Sequence, residues 1–402
     1  MLGKPHTALL AALAAGAWLM AGCSSEEPSA PPGEPESPAS AEPDSWPMFH
    51  GEPTLAGVAP GSLPAPLALR WKFQTGGPVV SSAAIADGCV FVGSSDQSVY
   101  ALDLKNGHKI WAYKTDGAVE SAILVLGGTV YAGSDDHFLY ALDAATGSLK
   151  WKCETGDKIV GGANHVRSPD GRSDWILVGS YDGKLYCLEA NGGRVVWTAE
   201  TTAPINGAPS VGEVGVVFGG CDEQIHIVSP ADGHTVRTIP AGGIVAGSPV
   251  PLGQRIYVGN YIGHLLCVDA DSGKTLWDYS AEDGFYSTPA VGPSQVVIGG
   301  RDQKVHCVDR ASGKPLWTFP TRGKVDGSPA ISGDKVVAGS ADGRLYVLAL
   351  ADGREVWSFE IGGGVSASPA VAGGVIVVGS DDNYVYAFGP NLPAGRQDRD
   401  RT

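Results

Sequence analysis

Methionine occurs only 3 times in 402 residues, and charged side chains make up only 18% of the chain. Coiled coils and long exposed helices are dominated by Ala, Glu, Lys, Leu and Arg, so this composition excludes them. Helical periodicity over ten residues is absent outside the apolar run at 8–20, which excludes a helical bundle. That run is itself shorter than the ~20 residues needed to span a bilayer. Basic residues are outnumbered, 28 against 43 acidic ones, and the net charge is −15. Such a field repels nucleic acid. Neither a Gly-x-Ser-x-Gly elbow nor a His-Glu-x-x-His pair occurs, and His108, His137, His226, His264 and His306 are scattered without metal-ligand spacing. What is plentiful is glycine, 57 residues or roughly twice the usual share, and tryptophan, 10 residues.

The N-terminal 45 residues differ from the rest. One Lys precedes the apolar run, and Leu19-Met20-Ala21-Gly22-Cys23 follows it. The run has the length of a signal-peptide core. Small residues directly before a Cys resemble a bacterial lipobox, with Met20 in place of the preferred Leu. The resemblance implies a signal peptide over 1–22 and a lipid on Cys23. Ser24, not Asp, follows, which in a lipoprotein of Gram-negative type implies sorting to the outer membrane, facing the periplasm. Residues 24–45 hold six Pro and six Asp or Glu, with no Lys, Arg or large apolar residue. They cannot bury a core and read as a disordered tether from 23 to 45. Its reach is ~25 Å as a coil and ~70 Å fully extended. Residues 390–402 read as a disordered tail.

Everything between is one repeat. Trp71, Trp111 and Trp151 are 40 residues apart, Trp197 follows after 46, Arg237 stands where the next Trp is due, and Trp277, Trp317 and Trp357 continue at 40. Each repeat divides into four runs of four to seven residues rich in Val, Ile, Tyr and Ala, bounded by Gly, Asp or Asn, which are strands and hairpin turns. Four strands per ~40 residues predict a propeller blade. The fold class is therefore all-β: an eight-bladed β-propeller over 46–389, four antiparallel strands per blade. Only three strands follow Trp357, and the segment around Leu67–Phe73 has no blade of its own. It is expected to complete the eighth blade and close the ring. Trp46 and Phe49 are expected to pack as a plug on one face.

An Asp recurs between the second and third strands (Asp96, Asp136, Asp182, Asp222, Asp302, Asp342, Asp382), and only Ile262 breaks the series. A short acceptor there bonds the amides of a tight turn. A Gly recurs before the last strand, from Gly107 to Gly353, where positive φ is needed. Cys187, Cys267 and Cys307 share one repeat position, and with Cys89, Cys153 and Cys221 are expected to be small buried hydrophobes. His226 and His306 are expected at partly exposed strand positions. The seven Trp are expected to pack between neighbouring blades.

Val92-Gly-Ser-Ser-Asp96, Val99-Tyr-Ala-Leu-Asp103 and Gly107-His-Lys-Ile-Trp111 resemble the tryptophan-docking repeat of the PQQ-like β-propellers, as does Ser368-Pro-Ala-Val371. The resemblance spans residues 46–389. That superfamily contains quinoprotein dehydrogenases and the BamB lipoproteins of outer-membrane barrel assembly. A dehydrogenase implies PQQ with calcium, an adjacent Cys-Cys pair and long inter-blade insertions. This chain has no Cys-Cys dipeptide, and its one insertion is six residues around 168–174. No catalytic residue and no metal ligand is assigned.

A repeat is its own control: positions that agree across blades are scaffold, and those that vary are free for function. Counting from each repeat's opening residue, the eighth along is always apolar and the tenth always small. The ninth drifts: Val80, Glu120, Val160, Asn206, Ala246, Tyr286, Asp326 and Ser366. Strand alternation puts it opposite the core, near the axis. Glu120, Asn206, Tyr286 and Asp326, with Lys158, Lys324 and Arg322 on the entering loops, are the candidate contacts for a partner or ligand. Two functions follow. One is a non-catalytic, monomeric, membrane-tethered scaffold for envelope proteins, as BamB is. The other is a periplasmic protein binding PQQ or another small ligand, with a quinoprotein oxidoreductase as its enzymatic form. The fourth repeat lacks a counterpart of the Leu-x-Leu-Arg-Gly-like partner loop that BamB carries.

Overall fold

The computed structural model describes residues 44–390; the signal peptide, Cys23, all but the last two residues of the tether and the tail from 391 lie outside the described residues. Among the described residues no helix is long and apolar enough to cross a membrane. The chain forms eight antiparallel sheets arranged as a propeller. Blade 1 is typical: Ala84–Ala86, Cys89–Ser94, Ser98–Asp103 and Lys109–Lys114 pair in chain order. Blades 2 to 7 follow at 124–154, 164–200, 210–240, 250–280, 290–320 and 330–360.

The strand patterns explain the layering. Middle strands are nearly continuous apolar runs, as in Lys335–Ser340, because sheets of two neighbouring blades cover both faces. Outermost strands alternate, as in Leu149–Glu154, because only one face is covered. The last blade closes the ring as expected: Leu67–Gln74 pairs with Tyr384–Pro390 in the register Leu67↔Pro390, Trp71↔Ala387 and Gln74↔Tyr384. The pairing joins the two ends of the ring and leaves no unpaired strand edge between them.

The Trp side chains tie consecutive blades. The indole N–H of Trp71, Trp111, Trp151, Trp197, Trp277 and Trp317 donates to a carbonyl of the next blade at 2.8–3.2 Å. The recurring Gly is where the ring lands. Gly147 has φ +73°, and a Cβ there would sit 2.6 Å from Trp111 Cδ2. Trp151 and Trp357 are less covered than the other five. For Trp357 the matching carbonyl falls at the edge of the described residues.

The turn aspartates hold more than their own turn. Asp96 accepts the Gly76 amide at 2.7 Å from the loop that arrives from the preceding blade, and the Tyr100 hydroxyl at 2.7 Å. In blades 4 and 6 the Tyr is replaced by His226 and His306, bonded to Asp222 at 2.9 Å and Asp302 at 3.0 Å. Both histidines are buried, not partly exposed: each takes the inward hydroxyl's place on the turn carboxylate. Burial lowers the His306 pKa. Cys187, Cys267 and Cys307 are fully buried, and burial pushes the first to about 12. Cys89, Cys153 and Cys221 are half-exposed, against expectation, because they sit at a strand start, on an outermost strand and beside the axis.

The innermost strands correct the sequence reading. They span only two to four residues, and the eighth to tenth positions precede them. Near the axis there is no room for a sheet on each side. The eighth-position amide bonds the preceding blade instead, as Val119 N–H does to Ser94 O at 3.1 Å. The tenth position is small because backbones meet there: a Cβ on Gly161 would lie 2.5 Å from Gly207 O.

Residues 46–59 form a strap across the face where the innermost strands end. Trp46 exchanges two 2.8 Å bonds with Ile85 of blade 1. Pro47, Pro53, Ala56 and Gly57 carbonyls then accept amides from Val125, Val211, Val291 and Ile331 of blades 2, 4, 6 and 7 at 2.7–2.8 Å. Val58–Ala59 adds a parallel fifth strand to blade 7. Trp46, Met48 and Leu55 are buried beneath it.

Candidate functional site

The axis is a narrow channel with one open end. The strap closes its base, where Phe49 faces Ala122, Gly162 and Ala208. On the other arc, hydroxyls form a belt: Ser248 N–H donates to Thr288 Oγ1, Thr288 N–H to Ser328 Oγ, Ser328 N–H to Ser368 Oγ and Ser368 N–H to Ser82 Oγ, at 2.8–3.2 Å. These bonds tie consecutive blades where the sheet ladders have not yet begun.

The mouth lies on the opposite face, where the loops enter the innermost strands. The ninth-position residues Glu120, Asn206 and Tyr286 line it. A second ring stands outside the first, made by the residue just before each turn aspartate: Ser95, Asp135, Tyr181, Cys221, Tyr261, Arg301, Ala341 and Asp381. Its placement is a backbone effect. In every blade that residue's amide bonds the carbonyl two positions before the ninth, as Arg301 N–H does to Gly284 O at 3.0 Å.

The two rings pair across blade boundaries. Ser95 Oγ donates to Glu120 Oε1 at 3.2 Å. Arg301 Nε and Nη2 donate to the two Asp326 oxygens at 2.9 and 3.0 Å, and the guanidinium lies 3.5 Å over the Tyr286 ring. Tyr261 and Tyr286 rings are 5.0 Å apart. Burial, with the Tyr261 neighbour, pushes the Tyr286 phenol up to about 12, and Asp326 raises the Arg301 pKa. Within blade 4, Asn206 Nδ2 donates to Cys221 Sγ at 3.1 Å. Lys158 Nζ sits 4.5 Å over Tyr181, whose pKa is raised first by burial and then by Cys221, Asp135 and Glu120.

Blade 5 departs from the repeat here. Ile262, where the turn Asp is due, is 58% exposed, beside Tyr261 at 45%. Asn260 takes over the turn: its amide donates to Ala241 O and its carbonyl oxygen accepts His264 N–H, both at 2.9 Å. The blade keeps its turn and frees an apolar side chain on the rim.

Of the entering-loop cations, Lys158 joins this mouth. Lys324 is exposed, with no side-chain partner among the described residues, and its carbonyl accepts Ala341 N–H. Arg322 does not belong. Its amide is held by Asp342 at 2.9 Å, and its side chain enters a separate hollow with Phe319, Arg344 and Tyr346, since it starts two residues farther from the axis than Lys324. The second ring escaped sequence reasoning although its signal was available. The position before each turn Asp varies as freely as the ninth.

The channel cavity is about 150 Å³, below the ~300 Å³ of small ligand pockets. Among the described residues no three His, Cys, Asp or Glu side chains are grouped as metal ligands.

Comparisons agree with this architecture. No curated protein matches the sequence significantly. Among solved structures, BamB from Moraxella catarrhalis is 20% identical, with TM-score 0.69, over 83% of this chain and 100% of that one. The quinohemoprotein alcohol dehydrogenase from Comamonas testosteroni is 16% identical, with TM-score 0.73, over 89% and 83%. A computationally designed protein, Ika8, is 16% identical, with TM-score 0.70, over 79% and 98%. At these identities the likeness is one of fold. The family model described as outer membrane protein assembly factor BamB matches residues 68–170, 158–283, 221–303 and 301–391, and the chain belongs to that family of PQQ-like propellers.

Proposed function

We propose that this chain is a non-catalytic, lipid-anchored scaffold of the cell envelope that docks a partner protein on its open mouth, in the manner of outer-membrane protein assembly factors. The observation that carries this is the rim at blades 5 to 7. Tyr261, Ile262, Tyr286 and Arg301 stand together where the repeat imposes no structural demand. Exposed Tyr261 and Ile262 beside half-buried Tyr286 and Arg301 have the composition of a binding hot spot. Arg301 is pre-oriented by Asp326 and Tyr286, so little side-chain entropy is lost on docking. The family model supports an envelope role. Cys23 would hold the disc at the membrane, and the strap leaves the mouth unobstructed.

The test is in-cell cross-linking from the mouth, comparing wild type with the Glu120→Ala, Tyr286→Ala, Asp326→Ala triple variant, both checked for an unchanged melting temperature. Loss of one specific cross-linked partner in a folded variant supports the assignment. Recovery of the same partner by both proteins removes the mouth from the function.

The quinoprotein reading rests on the dehydrogenase-like fold neighbours. Titration with PQQ and calcium would give a bound-quinone absorbance band and dye-linked alcohol oxidation if it held. The small cavity argues for silence in both.

A further inference from the structure

The strap-side face carries a second departure from the repeat. The carbonyl that receives the Trp indole lies 33 residues after it, or 39 in the repeat with the insertion. Its side chain is small or apolar elsewhere: Leu104, Ala144, Ala190, Pro230 and Leu350. In blade 6 it is Arg310. The backbone still does its task, accepting Trp277 Nε1 at 3.0 Å. The side chain is therefore free of the repeat's requirement, yet it is held in place. Its Nε donates to Tyr257 Oη at 3.0 Å and its Nη1 to Gly292 O at 3.2 Å. Nη2 has no partner among the described residues.

A groove between blades 5 and 6 runs beside it, lined by Gln254, Arg255, Ser294, Asp309 and Arg310 over Leu252 and Pro293. Arg255 is a departure too: Cys89, Thr129, Gly215, Gln295 and Val375 stand at its position in other repeats, and only Lys335 matches its charge. The Arg255 side chain is exposed and, among the described residues, makes no hydrogen bond or ion pair; its backbone pairs with Leu252 and Asp269. Acidic residues outnumber basic ones in this chain, yet among the described residues neither arginine forms an ion pair; Asp269, across the strand from Arg255, turns its carboxylate to Ser272 instead. Asp309 also lines the groove, its Oδ1 accepting the Ser312 amide and hydroxyl at 2.9 and 2.6 Å, so a phosphate would have to sit on the arginine side, away from this carboxylate.

We propose that this groove is an oxyanion site for a phosphate group. Two guanidinium forks with free N–H groups, a Ser hydroxyl and a Gln amide offer donors from several directions, which suits a tetrahedral acceptor. Tyr257 and Gly292 pre-orient Arg310, which lowers the cost of ordering it on binding. The net charge of −15 does not forbid it. Charges more than ~8 Å away are largely screened at physiological salt, while the two arginines act at contact distance. The site lies on the face opposite the mouth and is independent of the partner reading.

Phosphate can arrive free or on a lipid headgroup. The full chain is titrated with inorganic phosphate by calorimetry at constant ionic strength, and floated with phosphatidylcholine vesicles with and without phosphatidylglycerol. The comparison protein carries Arg255→Ala and Arg310→Lys. The lysine keeps charge and packing near Tyr257 but loses the fork. At least tenfold weaker phosphate binding in the variant, with an unchanged melting temperature, establishes a free-phosphate site. Phosphatidylglycerol-dependent flotation lost in the variant, without phosphate binding, assigns the site to a headgroup. Equal behaviour of the two proteins with both probes, or no binding of either probe by wild type, overturns the proposal.

Discussion

At the residue scale, repeated residues answer to geometry and unrepeated ones are free. Gly147 has no alternative, since both its positive φ and the indole of Trp111 exclude a side chain. His50 has no repeat to belong to. It is buried in the strap, its Nδ1–H donates to Leu55 O at 2.9 Å, and Nε2 has no partner. Burial lowers its pKa from 6.5 to about 4, the Leu55 bond opposing only in part. The unfolded chain therefore binds more protons than the folded one between pH 6.5 and 4. The stability is complete above pH 6.5 and is lost as pH falls toward 4, by roughly 3 kcal/mol. Denaturant unfolding of wild type and His50→Gln across this range checks it: the variant's curve is flatter by about that amount. Identical slopes would mean that the imidazole is hydrated in the fold.

At the element scale, each blade is an unremarkable meander, and the information lies in what joins one blade to the next. The repeated Trp is replaced at a single step, by Arg237. Arg237 is exposed, and a Cβ on Gly273 would meet only Ile239 at 3.7 Å and the Arg237 side chain at 3.9–4.0 Å. Gly273 keeps φ +69°, so the landing place is preserved without its ring. Arg237→Trp should restore the lock, with the indole N–H reaching Ala270 O. The expected gain is about 1–2 kcal/mol, read as a higher urea midpoint. An unchanged or lower midpoint would show that this junction has repacked around the arginine. The strand pattern was legible because period-two alternation and turn residues are local. The length of the innermost strands was not. Whether an amide near the axis bonds its own sheet or the neighbouring blade depends on how closely eight backbones converge.

At the scale of the whole molecule, closure is the decisive contact. Leu67–Gln74 pairs along its length with the last strand, from Leu67↔Pro390 to Gln74↔Tyr384, at the other end of the ring in sequence. Removing residues 44–74 takes away this strand and the strap together. The Tyr384–Pro390 edge is then bare, and bare edges pair with other chains. Size-exclusion chromatography of that truncation should show larger species than the intact chain gives, with loss of cooperative thermal unfolding. A monomer with a sharp transition would mean that seven blades and a partial eighth suffice.

What the sequence determined alone was the eightfold repeat, the four strands of each blade, the turn residues and the stitching of the chain's two ends. All of these follow from local propensity and from counting. It also marked Glu120, Asn206, Tyr286 and Asp326 as unconstrained. Only the tertiary structure decided which unconstrained residues meet. Arg301 and Asp326 are 25 residues apart and lie in successive blades, and Arg310 reaches Tyr257 across 53. Arg322, two residues from Lys324, leaves the mouth altogether. A repeat reports what each position tolerates. The distance between side chains on different blades is set by the radius and closure of the ring, which no single repeat contains.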